Sequence, residues 1–212
     1  MGRSGGGTQT GNFTRAGEFR GPSAFGVYLN YARRFDEAIE LLNRAIAFDP
    51  LQPWNYVVTG FATYRSGRLA AAESAYRKAL ELAPSDGKVH YLLGSVLLVR
   101  GQSTAALGEM EQETDLGYRH AGRALALDAL GRRSDADREL AVAEQTFARE
   151  KSFWIALVYA ARNDPDRAFT WLDRALRQHD DGLLWMTGDP LLSNVASDPR
   201  YKAFLRKMNL PE

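Results

Sequence analysis

The sequence predicts an all-α chain: an α-solenoid of about five helix-turn-helix repeats with a C-terminal capping helix. Three observations carry that reading. Small and apolar residues recur every 34 positions, as Gly26, Gly60 and Gly94, as Ala38, Ala72 and Ala106, and as Leu42, Tyr76 and Met110. Within a unit they fall three and four apart, as Ala72, Tyr76 and Ala79 do, which puts them on one helix face. Alanine and leucine are abundant and no alternating strand pattern appears. One hairpin cannot bury its own apolar stripe, whereas roughly three or more stacked hairpins bury a continuous one.

The stretch from Pro53 to Pro84 sets the frame. Gly60 lies where two packed helices cross closely, with Ala72 opposite it, and Gly67 follows the first helix. Pro84 lacks an N–H and disfavours helix in the residue before it, so the second helix stops there. Tyr76, Leu80 and Leu82 are expected to fill the space between layers. Before this frame, residues 1–22 are rich in Gly, Ser and Thr and read as a flexible tail. Asn12-Phe13-Thr14 within it matches a glycosylation acceptor, which without a signal peptide reads as chance. Repeat one, about 23–50, carries Phe25, Val27, Tyr28 and Tyr31 on a first helix that is short at its start. Asp36 is the expected N-cap of its second helix, whose stripe is Ala38, Ile39, Leu42, Ala45 and Ile46.

Repeat three begins near Asp86 and keeps Leu93, Gly94, Gly101 and Ala106, then departs. Glu113 stands where an alanine is expected, no proline closes the helix, and Gly117 is read as its end. The acidic run Glu109, Glu111, Glu113, Asp115 reads as an exposed helix face rather than an acid–base pair. Repeat four, about Tyr118 to Ala148, keeps Leu127, Gly131, Ala136, Leu140 and Ala143. Repeat five, about Lys151 to Gln178, keeps Ala156, Tyr159, Ala168, Leu172 and Ala175, and Asp164-Pro165 is a strong helix start within it. Residues 180–212 break the period. Asp189-Pro190 and Asp198-Pro199 each read as helix starts, and Tyr201, Phe204, Leu205 and Met208 form a stripe that would seal the open end of the stack. The expected division is a tail at 1–22, a solenoid at 23–180 and a cap at 181–212.

Over about residues 23–178 this frame resembles the tetratricopeptide repeat, which implies a right-handed solenoid whose first helices line a concave, ligand-binding face. The resemblance makes Trp54, Val57, Phe61, Tyr64 and Arg65 concave candidates in repeat two. Lys88, Tyr91, Ser95 and Leu98 join them from repeat three, and Val27, Asn30 and Tyr31 from repeat one. Either an extended or helical peptide with apolar anchors lies on these aromatics, or they pack internally. The chaperone-binding subset of the family clamps a C-terminal carboxylate with Lys, Asn and Arg. The matching places here hold Val27, Val57, Phe61 and Tyr91, so that clamp is missing. The stretch with Asp166-Arg167-Ala168-Phe169, Trp171-Leu172, Leu184-Trp185, Asp189-Pro190 and Ser197-Asp198-Pro199-Arg200-Tyr201 is similar to the repeat domain ending bacterial winged-helix or nucleotide-cyclase regulators. The 212 residues leave no room for such an effector domain, so neither DNA binding nor cyclase activity is expected.

Little else points to chemistry. With 27 basic and 26 acidic side chains, the near balance argues against a dedicated nucleic-acid surface. The absence of cysteine excludes disulfide and thiolate-metal frameworks. No apolar run is long enough to span a membrane, and a cytoplasmic location is the default. His90, His120 and His179 are isolated from one another, and no phosphate loop or nucleophile elbow occurs. Arg132-Arg133 and the cluster Arg200, Lys202, Arg206, Lys207 read as solvated helix faces. The expectation is a non-catalytic protein-interaction scaffold without cofactor or metal, binding a protein or peptide in its groove. The alternative is a sensory or regulatory module of a bacterial regulator whose effector domain is encoded separately. That module would be contacted at the N-terminal edge near Phe25 and Tyr28, the uncapped surface through which self-association would also run.

Overall fold

The computed structural model describes residues 22–210. Ten helices pair as five antiparallel hairpins: α1 (Pro22–Tyr31) with α2 (Phe35–Phe48), α3 (Pro53–Arg65) with α4 (Leu69–Leu82), α5 (Val89–Val99) with α6 (Ser103–Gln112), α7 (Leu116–Ala129) with α8 (Arg133–Thr146), and α9 (Ser152–Ala161) with α10 (Pro165–Gln178). Two 3-10 turns follow, Asp181–Trp185 and Pro190–Val195, and then α11 (Pro199–Lys207). The described residues contain no strand. The tail and its acceptor motif lie outside the described residues, apart from Pro22.

Every hairpin turns through one left-handed residue: Arg33 (φ 58°), Gly67 (77°), Gly101 (75°), Gly131 (74°) and Asn163 (57°). The N–H of the next residue reaches back five positions each time, as Arg68 does to the Thr63 carbonyl at 2.8 Å. This closes the first helix with the bond pattern of a Schellman cap. Glycine adopts that conformation without the Cβ clash that an L-residue meets. Replacing the exposed Arg33 with glycine is therefore expected to stabilise the chain by about 0.5–1 kcal/mol, read as a higher thermal midpoint in circular dichroism.

Inside the hairpins Ala38, Ala72, Ala106, Ala136 and Ala168 are all fully buried. The partner of Gly60, however, is not Ala72. A Cβ at Gly60 would lie 2.4 Å from the ring of Tyr76, so the missing side chain makes room for that ring. Gly26 accommodates Leu42 and Gly94 accommodates Met110 in the same way.

Three local expectations are corrected. The cap position of α2 is Arg34, and Asp36 sits in the first turn, where it pairs with Arg68 of the neighbouring hairpin. Gly117 lies within α7, because α6 already stops at Gln112. The acidic run is an exposed face only in part: Glu111 is exposed, Glu109 and Asp115 are half-buried, Glu113 is buried, and each has a partner. Glu109 meets His90 at 2.9 Å, Glu111 meets Arg123 at 3.1 Å, and Asp115 caps α7 through the Tyr118 N–H. Glu113 is only 1% exposed. Its carboxylate accepts from the backbone N–H of Lys88 (2.9 Å), Tyr91 (3.1 Å) and Asp115 (2.9 Å), satisfying amides that the start of α5 leaves orphaned. Asp180 does the same for α9, accepting from Phe153 N–H at 2.9 Å and Gly182 N–H at 2.8 Å.

At the C-terminal end the period does not stop where the sequence reading ends it. Asp164 and Asp198 cap α10 and α11 with their side chains, each followed by proline, 34 residues apart. Arg200 pairs with Asp166 at 2.8 Å and Lys207 with Asp173 at 3.3 Å, both across 34 residues. The second 3-10 turn packs on α9 and α11 buries Phe204 and Leu205, so the pair forms a degenerate sixth unit. The basic clusters lie on exposed helix faces, where Arg132 meets Asp135 at 2.7 Å and Arg133 meets Asp137 at 3.4 Å.

Candidate functional site

Among the first helices of the hairpins, α1 neighbours α3, α5 neighbours α7, and α7 neighbours α9. Side chains from α3 (Phe61, Tyr64, Arg65), α5 (Tyr91, Ser95) and α9 (Trp154) line one interior space. The chain fills that space itself. After α10, His179 takes a left-handed conformation (φ 54°) and directs the segment from Asp181 to Asp189 into the concave face.

Trp185 anchors the segment and is 3% exposed. Its ring stacks on Phe61 with centroids 4.1 Å apart and planes 12° from parallel, and Tyr31 packs against it at 5.4 Å. The Trp185 carbonyl accepts from Arg65 Nη2. Four residues on, Asp189 Oδ1 accepts from the Tyr64 hydroxyl at 3.3 Å and caps the next turn through Leu191 N–H at 2.9 Å. Lys88 stands at the mouth, its Nζ 5.7 Å from the Trp185 ring, 5.8 Å from Phe61 and 6.0 Å from Trp54. Lys88 also holds a left-handed backbone (φ 88°), unusual for a residue with a side chain.

Of the twelve sequence-derived concave candidates, Tyr31, Phe61, Tyr64, Arg65, Lys88, Tyr91 and Ser95 lie around one segment, and Trp54 is linked to it through Lys88. Val57 and Val27 are buried in the hydrophobic core, to which Phe61, Tyr64 and Tyr91 also belong. Asn30 is buried and reaches the Val58 carbonyl at 3.4 Å. The residues that sequence reasoning missed are Trp185, Asp189 and Trp154. The only signal for Trp185 and Asp189 is composition, a tryptophan between aspartates in a stretch free of Lys and Arg, and Trp154 carries none beyond its place in an apolar helix.

Burial dominates the electrostatics. It pushes the Tyr31 hydroxyl up to about 12, against the lowering effect of Arg65. Tyr64 and Tyr91 are raised by burial and then by Asp189. Burial lowers Arg65 and Lys88, with Asp189 opposing at Arg65 and Asp181 at Lys88. Arg65 is 8% exposed, and its Nε and Nη1 have no hydrogen-bond partner in the protein. The Tyr91 hydroxyl and the Trp154 Nε1 are unpartnered too. The remaining interior cavity, about 10 Å³, is room for about one water. These groups hold the chain's own Asp181–Asp189 segment through stacking, cation–π contact and hydrogen bonds donated to its carbonyl and carboxylate.

The described residues hold no group of three His, Asp or Glu side chains arranged for a metal ion. His120 pairs with Glu139 at 2.6 Å, as His90 does with Glu109. No helix among the described residues is long and apolar enough to cross a membrane. A second exposed feature lies at the N-terminal edge. There Phe25 (52% exposed) stacks on Tyr28 (55%) at 5.7 Å, beside a shallow cleft formed with Leu29, Leu41 and Arg44.

Comparison with known proteins places this arrangement. The tetratricopeptide repeat family model matches residues 62–116. E3 ubiquitin-protein ligase CHIP of Arabidopsis thaliana is 31% identical over 84 residues, covering 40% of this chain and 30% of that protein. The cell division cycle protein 27 homolog of Caenorhabditis elegans is 30% identical over 93 residues, 44% of this chain and 12% of its own length. The chain thus spans less than a third of either relative. Among solved structures, a thermophilic tetratricopeptide repeat protein of Thermus thermophilus aligns with a TM-score of 0.60 at 22% identity, over 82% of this chain and 98% of that one. YrrB, described as having an unusual peptide-binding site, aligns with a TM-score of 0.51 at 19% identity, over 78% and 88%. MamA aligns with 0.52 at 19%, over 73% and 94%. With its 34-residue hairpins, left-handed turns and glycine crossings, this chain has the fold of these tetratricopeptide repeat structures, and residues 62–116 match the repeat family itself.

Proposed function

We propose that the chain is a non-catalytic protein-interaction scaffold that takes a peptide stretch of a partner protein on its concave face. One observation carries the reading: that face already holds a stretch of polypeptide, through a stacked tryptophan, a backbone carbonyl on Arg65 and a carboxylate on Tyr64. The lining residues are held by rigid helices, so binding orders little of the protein itself. A peptide-binding site in YrrB, which shares the fold, agrees with this reading.

The test is selection of a displayed random-peptide library on the full chain and, in parallel, on a Trp54→Ala/Lys88→Ala variant of unchanged helical content. Both side chains stand at the groove mouth. Peptides enriched on the parent chain are expected to lose at least tenfold in affinity for the variant. Equal binding to both would refute the groove. The exposed Phe25–Tyr28 pair favours a second reading, in which a separately encoded regulator domain docks on the N-terminal edge. Under that reading Phe25→Ser/Tyr28→Ser, and not the groove variant, abolishes binding.

A further inference from the structure

The internal occupant describes the ligand that the groove prefers. Along the segment an acidic residue lies four before Trp185 and another four after it, Asp181 and Asp189, with no cation between them. Asp189 accepts from the Tyr64 hydroxyl at 3.3 Å and opposes the lowering of Arg65, and Lys88, on which the exposed Asp181 acts, stands 5.7 Å from the Trp185 ring. The tryptophan fills the slot between Tyr31, Phe61 and the Arg65 guanidinium, whose carbon is 5.2 Å from the indole.

The fit is incomplete. Arg65 Nε and Nη1, the Tyr91 hydroxyl and the Trp154 Nε1 stay unmet beneath the occupant, and Thr187 Oγ1 within the occupant is unmet as well. Buried donors without acceptors are costly, so a peptide that supplies acceptors there gains over the resident segment. Left-handed residues stand near both ends of the segment, His179 (φ 54°) before it and Gly188 (φ 79°) as its last residue but one. Beyond them the second 3-10 turn and α11 are held separately on α9 and α10 by Asn194, Arg200 and Lys207. The stretch between buries Leu183, Trp185 and Met186 and is held by contacts separate from those of its flanks.

We propose that the groove selects an acidic peptide with carboxylates four residues before and four after a tryptophan, and that Asp181–Asp189 is its built-in competitor. The proposal rests on the groove reading above and adds both the ligand's chemistry and its control.

A fluorescein-labelled peptide copying residues 180–189 is titrated by anisotropy against the full chain. Trp185→Leu, which loosens the resident segment, is expected to bind it at least tenfold more tightly than the parent chain does. Adding Lys88→Gln to Trp185→Leu should return at least fivefold of that gain, and a peptide with its aspartates changed to asparagine should bind at least tenfold more weakly. Raising salt should weaken binding of the acidic peptide only. If Trp185→Leu loses helical content, Asp189→Asn serves as the loosening variant, since asparagine still caps Leu191, with threefold tighter binding expected. No gain in a folded loosened variant, or a gain indifferent to Lys88→Gln, overturns the proposal. Library peptides that need Trp54 and Lys88 but lack the acid–tryptophan–acid pattern overturn it while leaving the groove reading standing. Failure of both experiments removes the groove altogether.

Discussion

Replacing Glu113 with alanine is expected to cost about 3–5 kcal/mol of stability, which for a chain of this size lowers the thermal midpoint by roughly 10 °C. The carboxylate is buried and accepts from three backbone N–H groups, on Lys88, Tyr91 and Asp115. Taking a carboxylate from water is costly, and charge-assisted bonds to fixed amides offset that cost. Alanine removes the acceptor and leaves the amides buried. It also releases the left-handed backbone at Lys88, so the ammonium over Trp54, Phe61 and Trp185 loses its position. Glu113→Gln keeps one oxygen acceptor but turns an NH2 towards an amide donor, and roughly half the loss is expected. Thermal unfolding read by circular dichroism, with amide exchange at Lys88 and Tyr91, measures both effects. A loss under about 1 kcal/mol for alanine would mean that the amides find other partners and would refute the role assigned to Glu113.

Gly60→Ala is expected to cost about 3 kcal/mol through overpacking. The new methyl would lie 2.4 Å from the Tyr76 ring, which is fully buried and stands edge-on to Phe61 at 6.1 Å. The ring cannot retreat without disturbing Phe61, and Phe61 carries Trp185. The discriminating experiment is the double variant Gly60→Ala/Tyr76→Leu, which converts this crossing towards the smaller side chain that Leu42 presents to Gly26. Touching residues do not add, and the double variant should recover more than about 1 kcal/mol relative to the sum of the two single changes. Strict additivity would show that Gly60 serves something other than the ring.

The repeat frame was legible because its signal is local. A small residue at a crossing and a left-handed residue at a turn are demanded by the backbone within one hairpin, and they recur with the period. The sixth unit was legible too, as a second Asp-Pro pair 34 residues after Asp164-Pro165, but its second helix lacks the alanines that mark the others. Glu113 was misread because a glutamate on a helix face gives no sign of whether it faces water or a neighbouring helix start. The candidate site divided along the same line. Which aromatics share the inner face follows from helical periodicity. That Trp185 reaches Phe61 depends on superhelical curvature, which accumulates from small rotations between successive hairpins and has no residue of its own.

Stacked hairpins ordinarily interact only with their neighbours, and such arrays come apart piecemeal from their ends. Here Arg65 and Tyr64 of the second hairpin are tied to Trp185 and Asp189, 120 and 125 residues away in sequence. A clasp of that reach turns a linear array into a ring of dependencies. While the clasp is closed the second hairpin and the C-terminal segment protect each other against local opening, and the loop that must close before the clasp forms makes folding slower than helix content alone implies.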